Sequence, residues 1–392
     1  MKVNISKYDD LGQGITKIND KVCFVKYGLP KEELDIKILK ENKNYSKGII
    51  EKIIRESEHR IEPVCKYYYK CGGCDFLHMN FEEEKKFKIN RTKDLFGKID
   101  KFYETKEYNY RNKIILHVKE GDLGFYKEKS NDLININYCY LANDKINEII
   151  KLLKANKDIN FNGEVLIRVN SLDELLISIS GNYKYLNNLV NSILIDNLIY
   201  NDKILKGNDF FYEHINNFQF KVNYKSFFQV NIKGLESIFN SLTTFLRDKK
   251  INNALDLYSG TSVLGILISK YVDKVTSIEI NSNATTDAKE NIKLNKINNL
   301  KIINGKVEDY INNFSDIDLI IVDPARCGLA KKTIDYLTKF KPLYLIYISC
   351  NIDSLKRDLK ILNNYYNLEK VEVVDMFPRT NNQETICFMK IK

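Results

Sequence analysis

The stretch Tyr347-Ile348-Ser349-Cys350-Asn351-Ile352-Asp353-Ser354-Leu355-Lys356-Arg357-Asp358 passes from an apolar run into a helical pattern at a cysteine. It reads as a strand-to-helix corner carrying a thiol. Leu343 to Ile348 has the length and composition of a buried strand, and Asn351 suits the N-cap of the helix that follows. A thiol at a helix N-terminus feels the positive end of the helix, which lowers its pKa and favours the nucleophilic thiolate. The competing reading is a small buried side chain, the common fate of free cysteine.

Outward from this corner, strand and helix patterns alternate from about residue 250. Asn253 to Gly260 is a strand entering a glycine turn, followed by a helical stretch from Thr261 to Val272. Lys274 to Ile280, Leu300 to Asn304, Asp318 to Val322, Leu343 to Ser349 and Leu368 to Asp375 are further strands, with helical segments between most of them. Thr385 to Ile391 closes the series. The expected fold is α/β, a doubly wound sheet whose ligands gather at the carboxyl ends of its strands. Asp256 to Gly260, Glu279, Asp323 and Cys350 all fall at such ends. Glu279 is placed to accept hydrogen bonds from ribose hydroxyls. Gly260-Thr261-Ser262 lacks the second glycine of a pyrophosphate fingerprint, which points to a nucleoside-type cofactor such as S-adenosylmethionine.

Earlier in the chain, residues 1–58 read as short alternating strands separated by turns, as in Lys21 to Lys26 and Glu33 to Ile38, and predict a small OB-like β-barrel. Residues 59–245 mix helical and strand patterns: Phe81 to Phe96 is charged and amphipathic, while Ile114 to Val118, Val165 to Val169 and Leu175 to Ser180 are strand-like. This middle unit contains Cys65, Cys71, Cys74 and, further on, Cys139. The Cys71-Gly72-Gly73-Cys74 turn lets two thiolates converge on one metal centre, and Cys139 is the natural fourth ligand. Zinc and an iron–sulfur cluster both accept four thiolates. Tyr110-Arg111-Asn112-Lys113 is a candidate phosphate contact beside its plainer reading as a solvated stretch.

The 392 residues carry 61 Lys and Arg against 52 Asp and Glu, a formal charge of +9 that suits a polyanionic partner without demanding one. No apolar run has the length of a membrane span, and no signal peptide precedes the first strand, so the expected location is cytoplasmic. Eight cysteines there are better read as ligands, nucleophiles or core than as disulfides.

With the glycine turn, Glu279, Asp323-Pro324-Ala325-Arg326 and Ser349-Cys350-Asn351 in this order, the chain resembles the RNA uracil-C5 methyltransferases over nearly its whole length. The resemblance implies a TRAM domain over the first sixty residues and a [4Fe-4S] cluster on Cys65, Cys71, Cys74 and Cys139. It also implies an S-adenosylmethionine-binding Rossmann-type domain over residues 246–392. Gln229, Tyr258, Glu279 and Asp323 then contact the cofactor, with Gly260 in the turn beside it. Cys350 corresponds to the nucleophile and Glu384 to the general base. The combination of TRAM domain and cluster most resembles enzymes acting on 23S ribosomal RNA, with tRNA-modifying members as the alternative. No obligate protein partner is evident. Three departures stand out: Ala325 replaces a proline, Asn382-Gln383 precedes the base where the family has His-Val, and Val263 replaces a polar residue. A rival of another class, a non-catalytic RNA-binding or redox-sensing iron–sulfur protein, leaves the acids, Cys350 and Glu384 unexplained.

Overall fold

A computed structural model of the protein describes residues 1–155, 161–184 and 186–392. The N-terminal unit is a six-stranded sheet in the order Lys2–Asn4, Glu33–Glu41, Tyr45–Arg55, Lys21–Lys26, Gly14–Ile18, Lys7–Tyr8. Alternation puts Val3, Cys23, Val25, Leu34 and Ile36 on one face, where they pack together with Ile5. The sheet curls on itself, and Ser6 N–H donates to the Ile15 carbonyl at 2.9 Å.

The middle of the chain forms a seven-stranded sheet in the order Leu133–Asn135, Asp122–Tyr126, Lys113–Lys119, Gly163–Val169, Leu175–Gly181, Asn197–Tyr200, Lys203–Lys206. The helix Asp144–Ala155 covers one face with Ile146, Ile149, Ile150 and Leu153. An apolar stripe at that spacing buries one helix side against a sheet and leaves the charged side in water.

The last sheet has eight strands, ordered Leu300–Asn304, Lys274–Glu279, Asn253–Leu257, Leu319–Val322, Tyr344–Ser349, Glu384–Ile391, Tyr366–Val374, Lys101–Tyr103. The first five are parallel, and Glu384–Ile391 runs antiparallel between its two neighbours. Because that strand is reversed, its beginning lies beside the ends of the parallel strands. Lys101–Tyr103, sequentially in the middle stretch, pairs with Glu372 to Val374 and so belongs to this sheet.

Phe81–Phe96 is a helix as its pattern predicts, capped by Asn80 and ended by Gly97 at φ 77°. Its buried residues are Glu84, Phe87, Lys88, Arg91 and Thr92, so a largely polar face is turned inward. The helix expected over Thr261 to Val272 is shorter, Val263–Ile268. Gly260 and Ser262 both have positive φ, 54° and 57°, which delays the first helical turn.

Candidate active site

The corner at Cys350 forms as its local sequence dictates. Tyr344–Ser349 ends at Ser349, and the Asn351 side chain accepts from the N–H groups of Asp353 and Ser354 to cap the helix Ile352–Leu362. The Asn351 amide also donates to the Arg326 carbonyl at 3.0 Å, tying the corner to the loop after Asp323. That loop is held again by Arg357 Nη2 on the Cys327 carbonyl at 2.9 Å and by Leu329 N–H on Asp358 Oδ2 at 2.8 Å.

In the antiparallel pairing Ser349 faces Thr385, which puts Cys350 and Glu384 on the next step of the ladder. Glu384 is buried, and its Oε2 has no hydrogen-bond partner among the described residues. Burial and the nearby Asp323 raise its carboxyl well above the usual range, against the opposing pull of Arg326. The Cys350 thiol is pushed up to about 11 by burial and by the charges of Glu384 and Asp323, while Arg326 beside it pulls the other way. The expectation of a thiol acidified by the helix end is therefore corrected. Enclosure is the largest of these influences, and the two acids add to it.

Asp256 is fully buried at the end of its strand, where its Oδ2 accepts from Gly265 N–H and Ser277 Oγ, each at 3.0 Å. Burial pushes its carboxyl up to about 7, and the enclosed Asp323 beside it is raised for the same reason. Glu279 is half-buried; its Oε2 accepts from Gly260 N–H at 2.9 Å and its Oε1 from Asn281 N–H at 2.7 Å. The Gly260 turn is thus braced by the acid, and a Cβ there would meet nothing within 4 Å.

Tyr258 follows the strand Asn253–Leu257 at the start of the glycine turn. Its φ is 62°, and its hydroxyl pairs with Glu308 Oε1 and Thr333 Oγ1, each at 2.9 Å, along a groove with Ala325, Cys327 and Arg357. Gln229 is half-buried on the Ser226–Asn231 stretch, which is anchored by Asn112: its N–H donates to the Val230 carbonyl at 2.9 Å and its side chain to the Gln229 carbonyl at 3.3 Å.

Away from this centre, Cys65, Cys71, Cys74 and Cys139 line one cavity of about 660 Å³. Gly72 lies against the Glu128 backbone, 3.1 Å from where a Cβ would sit. Asn147 clamps the Cys139 main chain, accepting from its N–H at 2.8 Å and donating to its carbonyl at 3.0 Å. Among the described residues no group of three or more His, Cys, Asp or Glu side chains is drawn close enough to hold a metal ion. Tyr67 and Tyr68 also line the cavity, but Tyr68 is buried, with its hydroxyl on the Asp75 carbonyl and on His78 Nδ1. Tyr68 is thus unavailable to stack on a base; Tyr69 is 55% exposed.

Reading the sequence alone left Gly265 and Ser277 out of the site. Gly265 gave no signal because its N–H finds Asp256 only once the strand and helix are packed together.

An open parallel sheet with carboxylates at its strand ends, a thiol at one corner and a small β-unit at the N-terminus defines a Rossmann-type methyltransferase with an accessory domain. Residues 78–392 match the family described as tRNA (Uracil-5-)-methyltransferase and residues 1–50 match the TRAM domain, and the chain belongs to that methyltransferase family. It is 31% identical to an uncharacterized RNA methyltransferase of Clostridium acetobutylicum over 99% of this chain and 96% of that one. It is 29% identical to another of Aquifex aeolicus, covering 100% and 99%. The solved Pyrococcus abyssi tRNA (uracil-54, C5)-methyltransferase, in complex with S-adenosyl-L-homocysteine, shares the fold with a TM-score of 0.83 at 23% identity, covering 99% of this chain and 100% of that one.

Proposed function

We propose that the protein methylates C5 of a specific uridine in RNA, with S-adenosylmethionine as donor and Cys350 and Glu384 as its catalytic residues. The observation that carries this reading is the pairing of Ser349 with Thr385, which brings a thiol and a carboxyl far apart in sequence to one step of the ladder. Uracil C5 is a weak nucleophile. Attack of the Cys350 sulfur on C6 makes the ring an enolate, whose C5 takes up a methyl group. Glu384 then removes the C5 proton, the C6–sulfur bond breaks and the thiolate leaves. A carboxyl whose pKa is raised by burial is, once ionised, a stronger base than one in water.

The donor supplies an electrophilic methyl on a sulfonium. Glu279, Asp323, Gly260, Gln229 and the backbone at Tyr258 would hold it, and the carboxylates would complement its positive charge.

Cys65, Cys71, Cys74 and Cys139 around one cavity would hold a [4Fe-4S] cluster, the occupant the family resemblance favours, with zinc as the alternative. The target base must leave its stack to reach the pocket, which single-stranded loops allow most cheaply. Arg111, Lys113 and the 69%-exposed Phe227 line the cluster cavity and offer cations and a ring to the RNA. The TRAM domain and cluster together favour 23S ribosomal RNA in the cytoplasm, with tRNA as the second reading.

Two measurements test this. RNA containing 5-fluorouracil should trap wild-type protein covalently in the presence of donor and should not trap Cys350→Ala. Mapping 5-methyluridine in ribosomal and transfer RNA of a deletion strain should reveal one lost site. Trapping by Cys350→Ala, or an unchanged map, defeats the proposal.

A further inference from the structure

Gln383 is 2% exposed, and both atoms of its amide are engaged. Its Oε1 accepts from Arg91 Nη2 at 2.8 Å, and its Nε2 donates to Thr92 Oγ1 at 2.8 Å and Thr385 Oγ1 at 3.2 Å. Arg91 Nη2 also donates to the Asn381 carbonyl at 2.9 Å, and Arg91 Nη1 to the Asp10 carbonyl in the N-terminal unit at 3.0 Å. Every one of these hydrogen bonds from Arg91 ends on a neutral acceptor. Burying a cation without a carboxylate bound to it is unfavourable for stability, and burial accordingly lowers the guanidinium to about 10 although Asp10 and Asp353 pull it up. What the arrangement secures is geometry. Glu384 Oε2 has no hydrogen-bond partner among the described residues, so nothing fixes that oxygen directly, and the main chain between Gln383 and Thr385 is what carries the carboxyl.

We infer that Arg91, Thr92 and Gln383 are positioning residues that aim Glu384 at the substrate, with Arg91 making that aim depend on how the N-terminal unit is docked. The inference rests on Glu384 being the base. If the carboxyl is misaimed, sulfur still bonds C6 and C5 still gains its methyl. The C5 proton stays, however, so the C6–sulfur bond does not break and protein remains attached to RNA.

The experiment uses the full chain, donor and total RNA from a strain lacking the gene, and reads the denaturant-resistant protein–RNA adduct together with kcat and KM. Glu384→Gln is the reference and should accumulate adduct on ordinary uridine. Gln383→Leu and Thr92→Val should accumulate it too, with kcat lowered about tenfold, the effect of one lost interaction in the transition state, and KM within about twofold. Thr92→Ser, which keeps the hydroxyl, should behave as wild type. Thr92→Val preserves side-chain shape and reads the contact even if Gln383→Leu disturbs folding. If Glu384→Gln accumulates adduct while Gln383→Leu and Thr92→Val release it at the wild-type rate, the inference is overturned. A fall in melting temperature or RNA affinity without adduct overturns it as well. If Glu384→Gln itself accumulates none, the base assignment has failed instead.

Discussion

Ser349 and Thr385 face each other across an antiparallel pair, and that register sets Cys350 beside Glu384 although 34 residues separate them in sequence. The proximity has an electrostatic consequence. Burial, with Glu384 and Asp323 beside it, raises the Cys350 thiol to about 11, and Arg326 restrains the rise.

The thiolate fraction of free enzyme should therefore climb about tenfold per pH unit across the neutral range, levelling only near that pKa. The expected readout is kcat/KM for RNA, or the rate of adduct formation, rising with pH up to the limit of protein stability. Arg326→Gln removes the restraining cation, so the thiol should titrate higher and the neutral-pH rate should fall. A profile already flat from pH 7 upward would contradict the raised thiol.

Lys88 joins two carboxylates in the interior, Glu84 at 2.7 Å and Asp375 at 2.7 Å, and all three side chains are fully buried. Arg379 adds a second cation on Glu84 at 3.1 Å. Lys88→Met leaves Asp375 without its cation and should cost about 3–5 kcal/mol. Adding Asp375→Asn to Lys88→Met should return part of that loss, because it removes the uncompensated charge. Calorimetric unfolding of the single and double variants checks both signs; additive losses would show that the pair is not coupled.

Much of the last sheet was legible because its central strands are apolar on both faces: Leu319–Val322 and Tyr344–Ser349 are continuous runs in the sequence and buried in the fold. Of the four cysteines around the cavity, Cys65, Cys71 and Cys74 stood out by their spacing, and Cys139 only as the next cysteine along the chain. The inward polar face of Phe81–Phe96 was not legible. Glu84, Lys88, Arg91 and Thr92 look like a solvated helix side until residues 375–383, nearly 300 positions later, fold onto them. Cys350 misled for a related reason: the helix end is visible locally, whereas the burial of the thiol and the acids beside it come from packing with other strands.

Lys113 lies beside Arg111 and Arg168, and burial together with those two cations lowers its ammonium to about 8. A phosphate is the ligand that would relieve this crowding. Arg111→Gln and Lys113→Gln should each weaken RNA binding and reduce the log–log salt slope by about one. Phe227→Ala should lose about 1–3 kcal/mol of RNA affinity, the scale of one stacked base, with little change in slope. Filter binding over a salt series separates the two effects. Slopes equal to wild type for both Gln variants would remove these cations from the RNA surface.

The glycine turn and the helix after it give a paired prediction, because two of its glycines are kept for different reasons. At Gly260 φ is +54° and the space for a Cβ is open, so Gly260→Ala carries only the backbone cost of a left-handed residue, about 1–2 kcal/mol. At Gly265 a Cβ would sit 2.5 Å from Ser277 Oγ, 2.6 Å from Ser262 Oγ and 2.9 Å from Asp256 Oδ2. Gly265→Ala must therefore push the helix Val263–Ile268 away from the strand Asn253–Leu257, and the Gly265 N–H would leave the buried Asp256 carboxyl with one donor fewer. Overpacking and the lost hydrogen bond act in the same direction, each worth about 1–3 kcal/mol. Donor affinity, measured by calorimetric titration with S-adenosyl-L-homocysteine, should consequently fall further in Gly265→Ala than in Gly260→Ala. The reverse order would mean that close approach of a ligand to the turn, rather than the packing of helix on strand, is what excludes a side chain here.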